Sequence, residues 1–134
     1  LPFYTDGLGF KLSDRVQDNA QNPTACFFRS DSEHHSFAIF AAAESRLDHH
    51  SYEVNDWNDI RDWADHLADI GVELAWGPGR HGPGNNLFLM FDDLDGNKVE
   101  VSAEIEIIHD GRSAGLWEHT ERTLNLWGRG LLRK

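Results

Sequence analysis

The sequence has 134 residues, of which 12 are Lys or Arg and 23 are Asp or Glu, so its formal net charge is −11. This length fits one domain that buries its own core, and a hydrophobic content of 40% excludes a disordered chain. The acidic balance argues against a nucleic-acid or anionic-membrane partner. Residues 1–110 hold 7 basic and 21 acidic groups (net −14), whereas residues 111–134 hold 5 basic and 2 acidic groups (net +3). We therefore expect the basic tail to dock on an acidic body, its own or a neighbour's.

The cysteine count and the apolar runs bound the class of protein further. Cys26 is the only cysteine, which excludes an internal disulfide. No apolar run approaches the length of a membrane span, and no basic segment leads into an apolar one as in a signal peptide. We expect a soluble, cytoplasmic protein that forms a homo-oligomer. The chain opens with Leu1 inside what looks like the end of an element, and we expect the protein to begin upstream.

The predicted elements alternate in type along the chain. Composition and bounding turn residues predict strands near residues 10–16, 24–29, 34–42 and 47–54. Apolar residues then recur at helical spacing and predict an amphipathic helix over 56–70, capped by Asn55 or Asp56 and followed by Gly71. Strands follow over 72–76, 87–91 and 98–104, with a glycine-rich loop over 77–84 and a turn over 92–97.

This order predicts the architecture. From residue 47 onward it reads strand, helix, strand, strand, strand, and before that point stand the last turn of a helix and three strands. We predict an α+β domain over residues 1–110, made of paired βαβββ modules that form a curved mixed sheet around a cavity, with the first strand and most of the first helix absent. Residues 111–134 are predicted to be a packing tail with a helix and an extended arm.

The eight histidines are the unusual feature of the composition. Four of them form the doublets His34-His35 and His49-His50 on predicted strands. Neighbouring side chains of a strand point to opposite faces, so each doublet offers one histidine to any single site. Imidazole is the commonest metal ligand and titrates near neutral pH. The alternative for any one of these histidines is an ordinary surface residue that neither binds a metal nor takes part in catalysis.

Glu100 is the carboxylate that completes a candidate site. Val99, Val101 and Ala103 share one face of the last predicted strand, so Glu100 points the other way, into the space that the sheet encloses. Two imidazoles and one carboxylate make the facial triad of mononuclear non-haem Fe(II) oxygenases. A solvated strand residue beside Lys98 is the alternative interpretation of Glu100.

Five stretches resemble the extradiol ring-cleaving catechol dioxygenases of the vicinal oxygen chelate superfamily, which also holds glyoxalase I and the bleomycin-resistance proteins. These stretches are FYTDGLGFKLSDR, HHSFAIF, LDHHSYEV, GPGRHGPGNN and FDDLDGNKVEV. The resemblance runs from Phe3 to about Glu104, and more loosely through Thr120–Gly128. The resemblance implies the vicinal oxygen chelate fold around a metal cavity. It also implies cleavage of a catechol-type ring with O₂ at a non-haem Fe(II) centre, in aromatic hydrocarbon catabolism. Mn(II) is a substitute, because oxygen and nitrogen ligands do not exclude it.

The resemblance assigns roles to four residues. His49, in LDH, matches an iron-binding histidine, and Glu100, ending DGNKVE, matches the carboxylate ligand. His35 matches the acid–base histidine beside the metal, and His81, in GRHG, matches a histidine that hydrogen-bonds substrate. The family's other iron-binding histidine lies on a strand before the FYTD helix, and this sequence does not contain that strand.

Further expectations follow from alternation and from a departure from the family pattern. His34 and His50 are expected to face away and to have structural roles. Met90 stands where the family usually has a tyrosine, and a thioether cannot donate a strong hydrogen bond. Met90 and Phe88 share a strand face and are candidates to line an apolar substrate pocket, with ordinary core packing as the alternative.

Three other functions remain open on this scaffold. The first is a non-catalytic protein that binds aromatic compounds or drugs. The second is a glyoxalase-like, metal-dependent isomerase or lyase, which needs no O₂. The third is a fragment of a larger enzyme with no activity alone. Oxygen uptake separates the dioxygenase from the others.

Overall fold

The chain forms two four-stranded sheets in a computed structural model, which describes residues 1–133. The first sheet contains β1 (Lys11–Gln17), β2 (Pro23–Arg29), β3 (Phe37–Phe40) and β8 (Gly115–Glu118), in the order β3-β2-β1-β8. The second contains β4 (His49–Glu53), β5 (Trp76–Arg80), β6 (Leu87–Asp92) and β7 (Lys98–Ala103), in the order β4-β7-β6-β5. The helical elements are a π-helical turn (Phe3–Gly7), α1 (Trp57–Asp69) and α2 (Glu121–Leu124).

The predicted α+β class and module order are confirmed. In the second sheet β4 runs parallel to β7, while β5, β6 and β7 form an antiparallel run. In the first sheet β1, β2 and β3 form the matching antiparallel run, and a helical turn precedes them. The place beside β3 that corresponds to β4 holds no strand among residues 1–133. Strand β8 of the tail pairs in parallel with β1 at the other edge.

Helix α1 begins and ends where the sequence predicts. The side chain of Asp56 accepts a hydrogen bond from the backbone N–H of Asp59, which caps the first turn. Gly71 has a φ of +77° just after the last turn, a conformation that favours glycine. Ile60 and Leu67 are buried against the second sheet. The helix therefore covers one face of this sheet and leaves the other face free for the site.

Strand β5 lies where a loop was predicted, so the prediction of a strand over 72–76 and a loop over 77–84 is wrong in its boundaries. A Cβ built on Gly77 would lie 2.9 Å from the carbonyl oxygen of Phe88, and one built on Gly79 would lie 2.8 Å from the Phe88 ring. These distances are too short for any side chain. The glycines thus let β5 lie flat against β6, with a register shift between Trp76 and Gly79.

Two arginines of the basic tail pair with acidic residues of the same chain. Arg112 pairs with Asp14 at 3.0 Å and with Glu106 at 2.8 Å. Arg133 pairs with Asp48 at 2.8 Å. None of the helices in the described part of the chain is long and apolar enough to span a bilayer.

Candidate metal and substrate site

A cavity of about 1020 Å³ lies between the two sheets. Its lining includes His35, His49, His81, Met90 and Glu100. Five of the six residues singled out in the sequence therefore meet at one cavity, although they come from five separate segments of the chain.

Glu100 lies on β7 and lines this cavity. It is only 4% exposed, and its strand neighbours are Ser51 on β4 and Met90 on β6. The hydroxyl of Ser51 donates to Oε1 at 2.7 Å, and Nε2 of His81 lies 3.0 Å from Oε2. Burial raises the pKa of Glu100, but the hydrogen bond and charge of His81 outweigh it and lower the pKa to about 2. The carboxylate is therefore ionised at neutral pH.

His49 is oriented by a carboxylate that is itself held by the tail. Its Nδ1 donates to Oδ2 of Asp48 at 2.6 Å, which leaves Nε2 with a free lone pair that suits a metal. Nε and Nη2 of Arg133 donate to the two oxygens of Asp48 at 2.9 and 2.8 Å. The guanidinium lies 3.8 Å from the centre of the Phe40 ring. Burial raises the pKa of Asp48, but these hydrogen bonds keep it below its usual value.

His81 follows β5, and a hydrogen bond and two aromatic neighbours fix its ring. Nδ1 donates to the backbone carbonyl of Leu124 at 2.6 Å. The ring stacks on Phe88 with centroids 3.8 Å apart and planes 3° apart, and it meets the edge of Trp76 at 5.4 Å. Phe88 is fully buried and lies behind His81, where it supports the ring instead of lining the cavity.

Met90 borders the cavity on β6 beside Glu100. It is 1% exposed and packs in a cluster with Trp76, Phe88 and Leu124. Its thioether offers the cavity an apolar, polarisable surface.

The two histidine doublets differ in how they are arranged. His50 packs edge-on against Tyr52 on the other face of β4 from His49, although it also borders the cavity. His34 does not line the cavity, which agrees with the expectation that it faces away from the site, but its ring still contacts that of His35. Their Nδ1 atoms are 2.7 Å apart. They precede β3 in an irregular segment, where strand alternation does not apply.

Sequence reasoning missed the groups behind the histidines. His34 is completely buried, and its Nε2 lies 2.8 Å from Oδ2 of Asp14. Asp14 and Asp48 are therefore functional candidates that no local pattern indicated, apart from the position of Asp48 directly before His49. The arginines that pair with these two carboxylates, Arg112 and Arg133, lie in the C-terminal tail.

The donor atoms at the cavity fit a divalent transition metal. His49 offers an imidazole nitrogen and Glu100 an ionised carboxylate, a combination that suits Fe(II) and Mn(II). Within residues 1–133 no group of three or more His, Cys, Asp or Glu side chains is placed to hold a metal together. These two residues would therefore supply only part of the coordination sphere of such a metal.

The family follows from a match over most of the chain. Residues 1–101 match the model of the Glyoxalase/Bleomycin resistance protein/Dioxygenase superfamily. The chain belongs to this superfamily. It is 33% identical over 129 residues to metapyrocatechase 2 of Cupriavidus necator, an alignment that covers 96% of this chain and 39% of that protein. The chain thus spans well under half the length of this relative.

Two solved structures support the fold. The Mn(II)-bound glyoxalase from Novosphingobium aromaticivorans matches with a TM-score of 0.84 and 32% identity, over 98% of this chain and 42% of that one. A variant of homoprotocatechuate 2,3-dioxygenase from B. fuscum matches with a TM-score of 0.85 and 23% identity, over 92% of this chain and 36% of that one. The predicted superfamily and fold are confirmed.

Proposed function

We propose that this chain is the metal- and substrate-binding part of an extradiol dioxygenase that cleaves a catechol-type ring with O₂. The observation that carries the proposal is the convergence of His35, His49, His81 and Glu100 on one large cavity. A protein that only binds an aromatic molecule does not need four such groups at one place. The similarity to a metapyrocatechase over 96% of the chain supports the same class.

We assign His49 and Glu100 as two of the protein ligands of the metal. Bound there, Fe(II) would polarise the two oxygens of a catechol and let O₂ react beside them. Asp48 fixes the ring of His49 with Nε2 free, and Ser51 and His81 fix the carboxylate of Glu100. Hydrogen-bonded partners of this kind orient ligands and tune the affinity for metal.

We assign proton transfer with the substrate to His35, positioning of the substrate to His81, and contact with its aromatic ring to the apolar side chains of the cavity lining. Burial, followed by the proximity of His34, lowers the pKa of His35 to about 4, so its imidazole is neutral at pH 7 and accepts a proton from a substrate hydroxyl. His81 is held rigidly by its stack on Phe88 and positions a polar group beside the metal. Apolar side chains on the lining suit an aromatic ring.

The remaining protein ligand is expected on the unpaired side of β3. The family resemblance places a further iron-binding histidine on a strand before the FYTD helix. In the second sheet, the strand in the equivalent position is β4, which carries His49. A strand paired with β3 would border the cavity, because β3 itself lines it. This ligand would complete the two-histidine, one-carboxylate set.

The test is O₂ uptake by the full-length protein, loaded anaerobically with Fe(II) and supplied with a panel of catechols. We expect O₂ uptake and a ring-opened product. Both should be lost in His49→Ala and Glu100→Gln, and both should be retained in His66→Ala, whose histidine is exposed on α1. Metal content and far-UV circular dichroism are measured on every variant. Bound iron without uptake of O₂ for any catechol would contradict the proposal.

A glyoxalase-like isomerase or lyase is the second candidate, favoured by the 32% identity to the Mn(II)-bound glyoxalase. Such a reaction needs the metal but consumes no O₂. Turnover of a candidate substrate under strictly anaerobic conditions, with Mn(II) bound, would favour it over the dioxygenase. An aromatic compound that is bound but not converted, with or without O₂, would instead indicate a binding protein.

A further inference from the structure

A chain of hydrogen bonds runs from the tail to the acid–base histidine. Arg112 donates from Nη2 to Oδ1 of Asp14 at 3.0 Å, and Trp117 donates from Nε1 to Oδ2 at 3.0 Å. Oδ2 of Asp14 lies 2.8 Å from Nε2 of His34. This series of hydrogen bonds ends at the 2.7 Å contact between Nδ1 of His34 and Nδ1 of His35. Asp14 and His34 are 1% and 0% exposed, so no bulk water competes with these bonds.

The position of each proton in this series of hydrogen bonds follows from which groups can act only as acceptors. Burial raises the pKa of Asp14, but hydrogen bonds from His34, Trp117 and Arg112 lower it to about 2, so Asp14 is an ionised acceptor at neutral pH. Nε2 of His34 must then carry a proton and donate it. A contact of 2.7 Å between two ring nitrogens needs one proton between them.

The charge state of His34 decides where that proton resides. His34 has no exposed surface, and Arg112 already supplies a cation to Asp14. A second buried cation is costly. Neutral His34, protonated at Nε2, accepts at Nδ1, so Nδ1 of His35 is the donor. Neutral His35 then has a bare Nε2.

We propose that Asp14 and His34 are positioning residues that hold His35 as the tautomer protonated at Nδ1, so that its Nε2 is a ready proton acceptor at the cavity. The consequence for catalysis rests on the proposed function, but the tautomer itself does not. A proton taken from a substrate hydroxyl would reside on Nε2 of His35, and the resulting imidazolium would stay hydrogen-bonded to His34. The arrangement orients one imidazole by means of another, with a carboxylate behind both.

Crowding around the pair supports a fixed geometry. A Cβ built on Gly84, whose φ is +87°, would lie 3.0 Å from Cε1 of His35 and 3.2 Å from Nδ1 of His34. The backbone therefore closes directly over the two rings and restricts their rotation. The ring of Phe27 packs against His35 from another side, with centroids 5.1 Å apart.

The experiment is a long-range ¹H–¹⁵N correlation spectrum of the full-length protein with ¹⁵N-labelled histidine, metal-free and again with diamagnetic Zn²⁺. Bare and protonated ring nitrogens resonate in separate ranges, and His35→Gln identifies the signals of His35. We expect a protonated Nδ1 and a bare Nε2 for His35, with a ¹⁵N–¹⁵N coupling to His34 across the hydrogen bond. A His35 signal protonated at Nε2, or a doubly protonated His34, would overturn the proposal.

Two variants test what sets the tautomer. His34→Phe keeps an aromatic ring of similar shape but removes the acceptor, and His35 should then show a mixture of both tautomers. Asp14→Asn can donate to His34 and should shift His35 towards protonation at Nε2. An unchanged His35 signal in a folded His34→Phe variant would refute the role of His34, even if the wild-type tautomer is as expected. The expected tautomer in a protein without O₂ uptake would instead refute only the dioxygenase.

Discussion

Arg133 offers a sharp test of how the tail acts on the proposed metal site. Its guanidinium makes two charge-assisted hydrogen bonds to Asp48, whose Oδ2 accepts the Nδ1 proton of His49. The Arg133 side chain is 9% exposed and that of Asp48 is 27% exposed. Arg133→Leu keeps apolar contact with Phe40 but removes both bonds, which leaves Asp48 free to rotate away from His49.

The expected losses follow from this geometry. Removing one partner of a fully buried ion pair costs about 3–5 kcal/mol. Water can reach Asp48, so we expect the free energy of unfolding of Arg133→Leu to fall by only about 1–2 kcal/mol. Loss of a group that orients a metal ligand typically weakens metal binding by about 10–100-fold. Arg133 acts on His49 only through Asp48. We therefore expect Arg133→Leu to weaken metal binding by about 10-fold and Asp48→Asn by about 100-fold.

The assay is competition between the full-length protein and a chromophoric chelator for Mn(II), with urea denaturation run in parallel. Arg61→Leu is the matched control, because Arg61 pairs with Asp62 on the exposed face of α1; its metal affinity and its stability should equal those of the wild type. A loss of stability in Arg133→Leu with metal affinity within twofold of wild type would refute the reasoning. Arg133 would then be a packing residue only.

Two further predictions concern the network behind His35. The pKa of Asp14 is lowered to about 2 in the folded chain, so its contribution to stability is complete above about pH 4 and is lost as the pH falls towards 2; a drop of about 2 pKa units corresponds to about 2–3 kcal/mol. Urea denaturation between pH 2 and 6 should therefore show a shallower acid dependence for Asp14→Asn than for the wild type, and equal slopes would contradict this assignment. Gly84→Ala should destabilise more than Gly96→Ala, because both have positive φ but only Gly84 has neighbours, with Cε1 of His35 3.0 Å from an added Cβ. Equal melting temperatures for the two alanine variants would show that crowding at His35 is unimportant.

The elements with a strong local period were predictable from the sequence. Helix α1 shows helical spacing, a side chain that caps its start and a glycine that ends it, and each signal acts within a few residues. The face of β7 that carries Glu100 followed from strand alternation, because β7 is regular. Alternation did not predict the contact between the rings of His34 and His35, because the segment before β3 is irregular. This contact matters to the proposed mechanism.

Strand β5 could not be predicted, because its glycines are required by a neighbour distant in sequence. Gly77 and Gly79 are turn signals when they are considered locally. In the structure they allow close approach to Phe88, whose ring also stacks on His81. The segment is therefore a strand for a tertiary reason that no window of a few residues contains.

The basic tail of the sequence pairs with the carboxylates that hydrogen-bond His34 and His49. Arg112 is paired with the carboxylate of Asp14, 98 residues away, and Arg133 with that of Asp48, 85 residues away. Each carboxylate accepts a hydrogen bond from a histidine. A carboxylate oriented and neutralised in this way holds an imidazole in one tautomer without adding net charge to the cavity.

The third histidine depends on the same tail by a different contact. The carbonyl of Leu124 fixes Nδ1 of His81, and Leu124 also packs in the cluster that holds Met90. The tail therefore contacts His81 directly, and it pairs with Asp14 and Asp48, the carboxylates behind the His34–His35 pair and His49. If His35, His49 and His81 are the working groups of the site, residues 111–133 support all three. Removing these residues should disorder the three imidazoles, although the two sheets lose only the edge strand β8.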